Sequence, residues 1–128
     1  MLANETGLPL IVHCVKAWQD IFPLVSQSGV PVLLHDFRGN ETILKQFLKL
    51  PQVYFSFGKS LLTSTTAQAI FCLVPDDRFL LETDSAAISI ASVYEKAESL
   101  SAQNGPFFSD MVKKNTLAFF GAKALAFF

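Results

Sequence analysis

Phe79-Leu80-Leu81-Glu82-Thr83-Asp84 is the stretch that decides the fold of this chain. Its apolar residues follow the turn-forming segment Pro75-Asp76-Asp77-Arg78 and predict a buried strand, which ends in two carboxylates where the chain leaves the sheet. Parallel α/β folds place metal ligands at the carboxyl ends of such strands. The stretch therefore predicts a strand together with a candidate site residue, Asp84.

Two earlier stretches have the same form, and each ends in a histidine. Residues 8–13 end at His13 and residues 30–35 end at His35, and the chain contains no other histidine. A further strand is predicted at residues 53–57, which are rich in aromatic side chains. Because helical patterns separate these strands, their order favours consecutive βα units and a parallel sheet.

Helical patterns fill most of the chain between and after the predicted strands. They cover residues 15–26, 41–50, 67–74, 90–102 and 107–120. We expect Pro23 to kink or divide the first helix, Asn40 to cap the second, and residues 60–66 to form a polar loop. Residues 1–6 resemble the last turn of a helix with Gly7 as its C-cap. Near-continuous apolar strands predict a sheet that is buried on both faces, as in a barrel or a doubly wound sheet, and four βα units are half of an eight-stranded barrel.

Composition predicts one globular domain over residues 1–128. Hydrophobic residues make up 51% of the chain and the mean hydropathy is +0.38, which excludes a disordered chain. The net charge of −1 gives no global field that would recruit nucleic acid or an acidic membrane. Two cysteines are too few for a disulfide framework and favour a reducing, cytoplasmic location. Neither a signal peptide nor a membrane span is predicted.

His13, His35 and Asp84 all fall at the carboxyl ends of predicted strands. Alternation along the strands turns His13 to the face of Ile11 and His35 to the face of Leu33. Two imidazoles and a carboxylate that converge on one cavity form a partial ligand shell for Zn²⁺, Mn²⁺ or a similar ion. The alternative is that each histidine is only a hydrogen-bonded strand end, and the spacing alone leaves both interpretations open.

Three basic residues follow strand ends on the same side of the predicted sheet. Lys16, Arg38 and Lys59 each lie within a few residues of a strand terminus, where cations could hold a phosphate group against a metal. The alternative is that these loops are simply charged and bind no phosphate, and this alternative is strongest for Lys59. Arg38, beside Gly39, is the strongest of the three candidates.

Three segments together resemble a known family. They are Pro9-Leu10-Ile11-Val12-His13-Cys14, His35-Asp36-Phe37-Arg38-Gly39 and Leu80-Leu81-Glu82-Thr83-Asp84-Ser85. Their order and spacing resemble the TatD-type metal-dependent hydrolases and deoxyribonucleases, which are amidohydrolase-like TIM barrels; residues 56–58 and 115–121 are similar to that family as well. The resemblance implies an α/β fold, a parallel (β/α) half-barrel corresponding to strands 5–8 of a TIM barrel, with a C-terminal helix pair.

The resemblance also implies a site and a reaction. Members of the family hydrolyse phosphodiester bonds with two divalent ions, of zinc, manganese or magnesium, so the expected substrate is DNA or a small phosphodiester. By the same resemblance His13 and His35 hold one ion, and the catalytic Asp84 holds the other or orients the attacking water.

Departures from the family pattern reduce what this chain is expected to do alone. The family opens with an HxH strand and supplies a bridging glutamate before the position of His13, and neither is present here. Asp36 stands where the family has a small residue or cysteine, and Ala86 replaces a common proline. We therefore expect at most partial metal sites and little turnover.

Two other interpretations come from different functional classes. One is a catalytically inactive half-barrel that self-associates, as a homodimer that covers the open edges of the sheet. The other is a nucleic-acid-binding module without catalysis, which the net charge and the lack of a basic stripe disfavour.

Overall fold

The structure is a computed structural model and describes residues 7–13, 16–83, 89–101 and 105–121. Its strands are β1 (Leu10–His13), β2 (Val32–His35), β3 (Val53–Phe57) and β4 (Phe79–Leu81). Its helices are α1 (Trp18–Ser26), α2 (Glu41–Leu48), α3 (Ser60–Thr63), α4 (Thr65–Phe71), α5 (Ile90–Leu100) and α6 (Gly105–Phe120). The strands and the other helices follow one another in the predicted order, α3 is an additional short helix, and β3 has the predicted bounds.

The strands form one parallel sheet in the order β1-β2-β3-β4. Leu33 of β2 pairs with Ile11 of β1 on one side and with Tyr54 of β3 on the other, and Ser56 of β3 pairs with Leu80 of β4. Consecutive strands are therefore spatial neighbours joined by helical crossovers, as expected of a βα series. All four carboxyl ends consequently lie at the same edge of the sheet.

Alternating side chains give the sheet two different faces. One face carries Val32, Leu34, Phe55 and other large apolar residues and packs against the helices in the main hydrophobic core. The opposite face carries Leu33, Leu80 and Tyr54, which pack with Phe119 of α6 in a second cluster. The prediction that the strands are buried on both faces is thus confirmed for β2 and β3.

That prediction is wrong for β1. Ile11 is 47% exposed and His13 is exposed as well, whereas Leu33 and Leu34 of the neighbouring strand are buried. The physical reason is cover: β4 is also an outermost strand of the described sheet, but its Leu80 is buried against Phe119 of α6, whereas Ile11 of β1 is not part of that cluster. An apolar sequence predicts a buried strand only where the fold supplies something to cover it.

Residues 60–66 are not the polar loop that the sequence predicts. Ser60–Thr63 form the short helix α3, and α4 begins at Thr65, two residues earlier than expected. The side chain of Ser64 accepts a hydrogen bond from the backbone N–H of Ala67 at 3.1 Å and so caps α4. Serine and threonine at a helix start were mistaken for loop residues because the same side chains favour both.

The expectations for the first two helices have different outcomes. α1 is not divided at Pro23, which lies inside the nine-residue helix. Proline lacks the N–H donor that this position of a helix otherwise uses, and Pro23 is exposed to solvent. Asn40 caps α2 as predicted, since its Oδ1 accepts the N–H of Ile43 at 2.9 Å. The predicted helical turn at residues 1–6 lies outside the described residues.

Two polar side chains, one partly buried and one buried, hold the amino end of the sheet. Arg78, just before β4, donates from Nε to the carbonyl of Val53 at 2.6 Å and from Nη2 to the carbonyl of Leu50 at 2.7 Å. Burial lowers the pKa of Arg78, and nearby Asp77 acts in the opposite direction. Asn115 of α6 donates to the carbonyls of Asp76 and Phe79 at 2.7 and 3.0 Å.

α6 is the longest helix in the described ranges, at 16 residues. In those same ranges, no helix combines the length and the apolar character that crossing a membrane requires.

Candidate metal centre

The carboxyl ends of β1 and β2 bring the two histidines together, as predicted. His13 and His35 are register partners, and their ring centroids lie 4.2 Å apart with an angle of 61° between the ring planes. We call the face of the sheet that carries Leu33, Tyr54 and Leu80 the inner face. His13 and His35 are each two positions beyond an apolar residue of this face, Ile11 and Leu33. Two imidazoles this close, at one edge of a sheet, offer nitrogen ligands that Zn²⁺ and similar ions accept.

Glu82 and Ser56 extend this pair across the sheet. Nδ1 of His35 lies 2.5 Å from Oε2 of Glu82, and the hydroxyl of Ser56 donates to the same oxygen at 2.6 Å. The Glu82 and His35 side chains are both largely shielded from solvent, and Ser56 is fully buried. The end of the inner face is therefore a row of polar groups contributed by all four strands and their exits.

Gly58 makes room for Glu82. A Cβ on Gly58 would lie 2.8 Å from the carbonyl oxygen of Glu82 and 3.1 Å from its Cγ. Real Cβ atoms do not approach a carbonyl oxygen so closely, so any larger residue at this position has to displace the segment that carries the carboxylate.

Asp36 connects the histidine to the loops above it. Its backbone has a φ of +49°, an uncommon left-handed conformation that aspartate tolerates better than most residues. Its N–H donates to the Ser56 hydroxyl at 2.9 Å. Its carboxylate accepts from Arg38 at 3.1 and 3.2 Å and from the Ser60 hydroxyl at 3.5 Å. Asp36 thus ties the β2 exit to the β3 exit.

The three predicted phosphate-binding residues all lie in loops at this edge. Lys16 follows β1 with a φ of +61°, Arg38 follows β2, and Lys59 directly precedes α3 after β3; all three are exposed. Arg38 lines a cavity of about 120 Å³ together with hydroxyl side chains of residues 60–66. The structure therefore places the three cations at the edge of the sheet that carries the histidines, while their role in binding phosphate stays a prediction.

Comparison with known proteins assigns this architecture. The family model described as TatD related DNase matches residues 1–116. The chain belongs to the TatD family. It is 28% identical over 88 residues to a Bacillus subtilis (strain 168) protein named uncharacterized metal-dependent hydrolase YabD, a stretch covering 65% of this chain and 34% of that protein.

Solved TatD structures show the same fold over nearly the whole chain. The structure of YJJV, a TatD homologue from Escherichia coli K12, has a TM-score of 0.80 and 18% identity over 93% of this chain and 52% of its own. A TatD family hydrolase from Entamoeba histolytica has a TM-score of 0.80 and 18% identity over 93% of this chain and 53% of its own. The chain thus spans about half the length of these structures and about a third of the curated relative.

The predicted fold class is confirmed. The parallel sheet, its connecting helices and the half-length match to TatD structures establish a parallel α/β sheet that corresponds to about half of a TIM barrel. The pair α5 and α6 completes it at the C-terminal side. The assignment of the sheet to strands 5–8 stays a prediction.

The described residues fit part of a divalent-metal site. His35 bonds a carboxylate through Nδ1, the arrangement by which proteins orient metal-ligating histidines. His13 supplies a second imidazole beside it. Within residues 7–13, 16–83, 89–101 and 105–121, no group of three or more histidine, cysteine or acidic side chains has the arrangement of a complete site. The fit is therefore to a pair of nitrogen ligands, short of a full coordination shell.

Asp84, the third predicted ligand, lies outside the described residues, and its role stays a prediction. Sequence reasoning missed the part played by Ser56 and counted Glu82 only as one of the two carboxylates that end the strand. A signal was present for each: Ser56 is a lone serine in an otherwise aromatic and aliphatic strand, and Glu82 lies two residues beyond Leu80 on the inner face.

Proposed function

We propose that this chain is part of a metal-dependent hydrolase of phosphodiester bonds, a TatD-type deoxyribonuclease in its complete form. The observation that carries the proposal is the contact between His13 and His35 at adjacent strand ends, with His35 held by Glu82. Membership of the TatD family supports it. Because the chain spans about half of the solved relatives, we propose that it holds one half of the active site.

Each described residue has a distinct role in this proposal. His13 and His35 would hold a divalent ion, which supplies Lewis-acid polarisation of a phosphoryl oxygen. Glu82 orients His35, and the predicted role of Asp84 is to complete the site. Zinc, manganese and magnesium all remain candidates, since the two imidazoles do not select among them.

The charge of the surrounding loops supports an anionic substrate. Lys16, Arg38 and Lys59 are exposed at the same edge, and the cavity beside Arg38 is lined in part by hydroxyl side chains of residues 60–66, which can contact a phosphate oxygen. Asp36 neutralises part of the charge of Arg38 in the metal-free chain. We therefore propose that DNA or a small phosphodiester binds across these three loops.

Calorimetric titration of the purified chain with Zn²⁺ and Mn²⁺ tests the metal site. We expect a Kd on the order of micromolar, about −8 kcal/mol, and loss of that binding in His35→Ala and in His13→Ala. Cys72→Ser is the matched control, because it removes an exposed thiol that could capture zinc without belonging to the site. Absence of binding, or binding that survives both histidine substitutions, would contradict the proposal.

Fluorescence anisotropy with a labelled single-stranded oligonucleotide tests the substrate class. The triple variant Lys16→Ala, Arg38→Ala, Lys59→Ala should bind more weakly and with a smaller salt dependence than the unmodified chain. The double variant Lys113→Ala, Lys114→Ala removes exposed cations of α6 near the amino end of the sheet and should bind as before. Equal losses in both variants would leave only non-specific attraction and would count against DNA as the substrate.

A second candidate function is self-association of the half-barrel as a homodimer. The observation that favours it is apolar surface beside β1, where Leu8, Ile11 and Leu24 are 54%, 47% and 59% exposed. An apolar groove of about 300 Å³ lies between β1 and α1, where a barrel would continue with its next βα unit. Since solved relatives are about twice as long, a second copy would supply an equal length of chain.

Light scattering across a range of protein concentrations tests the homodimer. We expect the mass to rise from one chain to two, and Leu24→Lys to shift this transition to higher concentration. Phe107→Lys is the matched control, because Phe107 is 75% exposed on α6, away from the groove. A monomer at every concentration, or equal effects of the two substitutions, would contradict self-association through β1.

A further inference from the structure

We infer that Ser56 and Glu82 are positioning residues that hold His35 as its Nδ1–H tautomer and so present Nε2 as the metal-binding nitrogen. The tautomer follows from the hydrogen bonds alone. The consequence for metal binding rests on the proposed function.

The argument begins with the donors around one carboxylate oxygen. Oε2 of Glu82 is within 2.6 Å of both the Ser56 hydroxyl and Nδ1 of His35. An ionised carboxylate can only accept hydrogen bonds, so both partners have to donate. His35 therefore carries its proton on Nδ1.

The direction of the remaining bond agrees with this assignment. The N–H of Asp36 can only donate, and it lies 2.9 Å from the Ser56 hydroxyl oxygen. Ser56 thus accepts from Asp36 and donates its own proton to Glu82. Its distance to Nδ1 of His35 is 3.4 Å, longer than its distance to the carboxylate, as expected when the hydroxyl proton points to Glu82.

The opposite tautomer would place two lone pairs against each other. If Nδ1 of His35 were unprotonated, it would face the Glu82 carboxylate at 2.5 Å with no proton between them. Repulsion at that separation would break the contact or require a protonated carboxyl. The observed geometry is consistent with three donations: the Asp36 N–H donates to the Ser56 hydroxyl, and the Ser56 hydroxyl and Nδ1 of His35 both donate to Glu82.

The surroundings keep this arrangement in place. Ser56 is fully buried within β3, so its hydroxyl cannot exchange its partners for bulk water. Gly58 lies against the backbone of Glu82 and fixes where the carboxylate enters the sheet edge. A histidine oriented in this way avoids the cost of selecting a tautomer when it binds a metal, and losing such a partner weakens metal affinity by roughly 10–100-fold.

Long-range ¹H–¹⁵N correlation spectra of the metal-free chain at mildly alkaline pH test the tautomer directly. The chain has two histidines, so His13→Asn assigns both sets of ring nitrogens. We expect His35 to show a protonated Nδ1 and an unprotonated Nε2. A protonated Nε2, an even mixture of tautomers, or protons on both nitrogens would overturn the inference, and this measurement needs no variant at Ser56 or Glu82.

Two substitutions separate positioning from general structure. Ser56→Ala and Glu82→Gln should move the His35 nitrogen shifts toward a mixture of tautomers and weaken Mn²⁺ binding by roughly 10–100-fold. Ser60→Ala is the matched control, since Ser60 is equally buried at this edge but donates to Asp36. It should leave the His35 nitrogens unchanged.

The outcomes distinguish this inference from the proposed function. The Nδ1–H tautomer in a chain that binds no metal would support the positioning of His35 and contradict the metal site. Metal binding by a chain with the Nε2–H tautomer would support the metal site and contradict the positioning of His35. Nitrogen shifts that respond equally to Ser56→Ala and Ser60→Ala would overturn the positioning role.

Discussion

Both ends of the sheet carry polar side chains that are buried or partly buried, but these side chains bond different partners. At the amino end, Arg78 and Asn115 donate only to backbone carbonyls. At the carboxyl end, His35, Ser56 and Glu82 bond one another through side chains. Carbonyl oxygens have fixed charge and position, whereas imidazole and carboxylate groups change protonation and bind ions.

From this difference we infer that the amino end of the sheet serves stability and the carboxyl end serves chemistry. Bonds from a side chain to the backbone fix the path of the chain, and their loss leaves buried acceptors without donors. Bonds among ionisable side chains fix orientations, and their loss changes what the group can bind. In TIM barrels the two ends divide these tasks in the same way. Substitutions at the two ends should accordingly affect different measurements.

The largest effect is expected from Asn115→Ala at the amino end. It removes both donors to the carbonyls of Asp76 and Phe79 and leaves a cavity beneath α6, so the free energy of unfolding should fall by about 3 kcal/mol. Urea denaturation measures this change. Lys114→Ala, on the exposed part of the same helix, is the control. A loss of metal affinity in folded Asn115→Ala protein would break the division between the two ends.

Arg78→Met should have the next largest effect. Methionine keeps an apolar stem but loses the bonds to the carbonyls of Val53 and Leu50, so the free energy of unfolding should fall by about 2 kcal/mol. Arg78→Lys retains the charge but lacks the planar guanidinium, so its free energy of unfolding should lie between those of the parent and of Arg78→Met. Thermal and urea denaturation report the change, and an Arg78→Met chain as stable as the parent would show that these carbonyls are satisfied by other means.

Gly58→Ala tests the carboxyl end without removing any hydrogen-bonding side chain. The new Cβ would displace the backbone of Glu82, so we expect Mn²⁺ affinity to fall about 10-fold, or about 1.4 kcal/mol. A double-mutant cycle with Glu82→Gln checks the route, because two substitutions that act through one carboxylate should not add. Additive losses would mean that Gly58 affects metal binding independently of Glu82.

Much of this fold was predictable because it depends on periodicity. Apolar runs and the spacing of helical patterns gave four strands in the correct order, and residues 53–57 were assigned to within a residue. The errors lie where one local signal has two meanings. The hydroxyl residues 60–66 favour a loop or a helix start equally, and only the hydrogen bond from Ala67 to Ser64 decides between them.

The candidate site was predictable only in part. His13 and His35 could be placed together because parallel strands align their carboxyl ends. The link from Ser56 to Glu82 joins residues 26 positions apart on neighbouring strands, and it depends on the register and stagger of β3 and β4. The sequence predicts which side chains lie at strand ends, but the stagger of neighbouring strands determines which of these side chains are in contact.

Asn40→Ala should have the smallest effect, and it separates the influence of bonding partners from that of location at one end of the sheet. Asn40 lies at the carboxyl end of the sheet, in the segment that links β2 to α2, yet its side chain bonds only the backbone N–H of Ile43. If bonding partners rather than location decide the outcome, this substitution should behave like those at the amino end: a loss of about 1 kcal/mol of unfolding free energy and unchanged Mn²⁺ affinity. Asn40→Ser, which retains a capping oxygen, is the control and should be close to the parent in stability. A fall in metal affinity with Asn40→Ala would mean that the whole carboxyl end acts as one unit, and that the division drawn between the two ends is a matter of position after all.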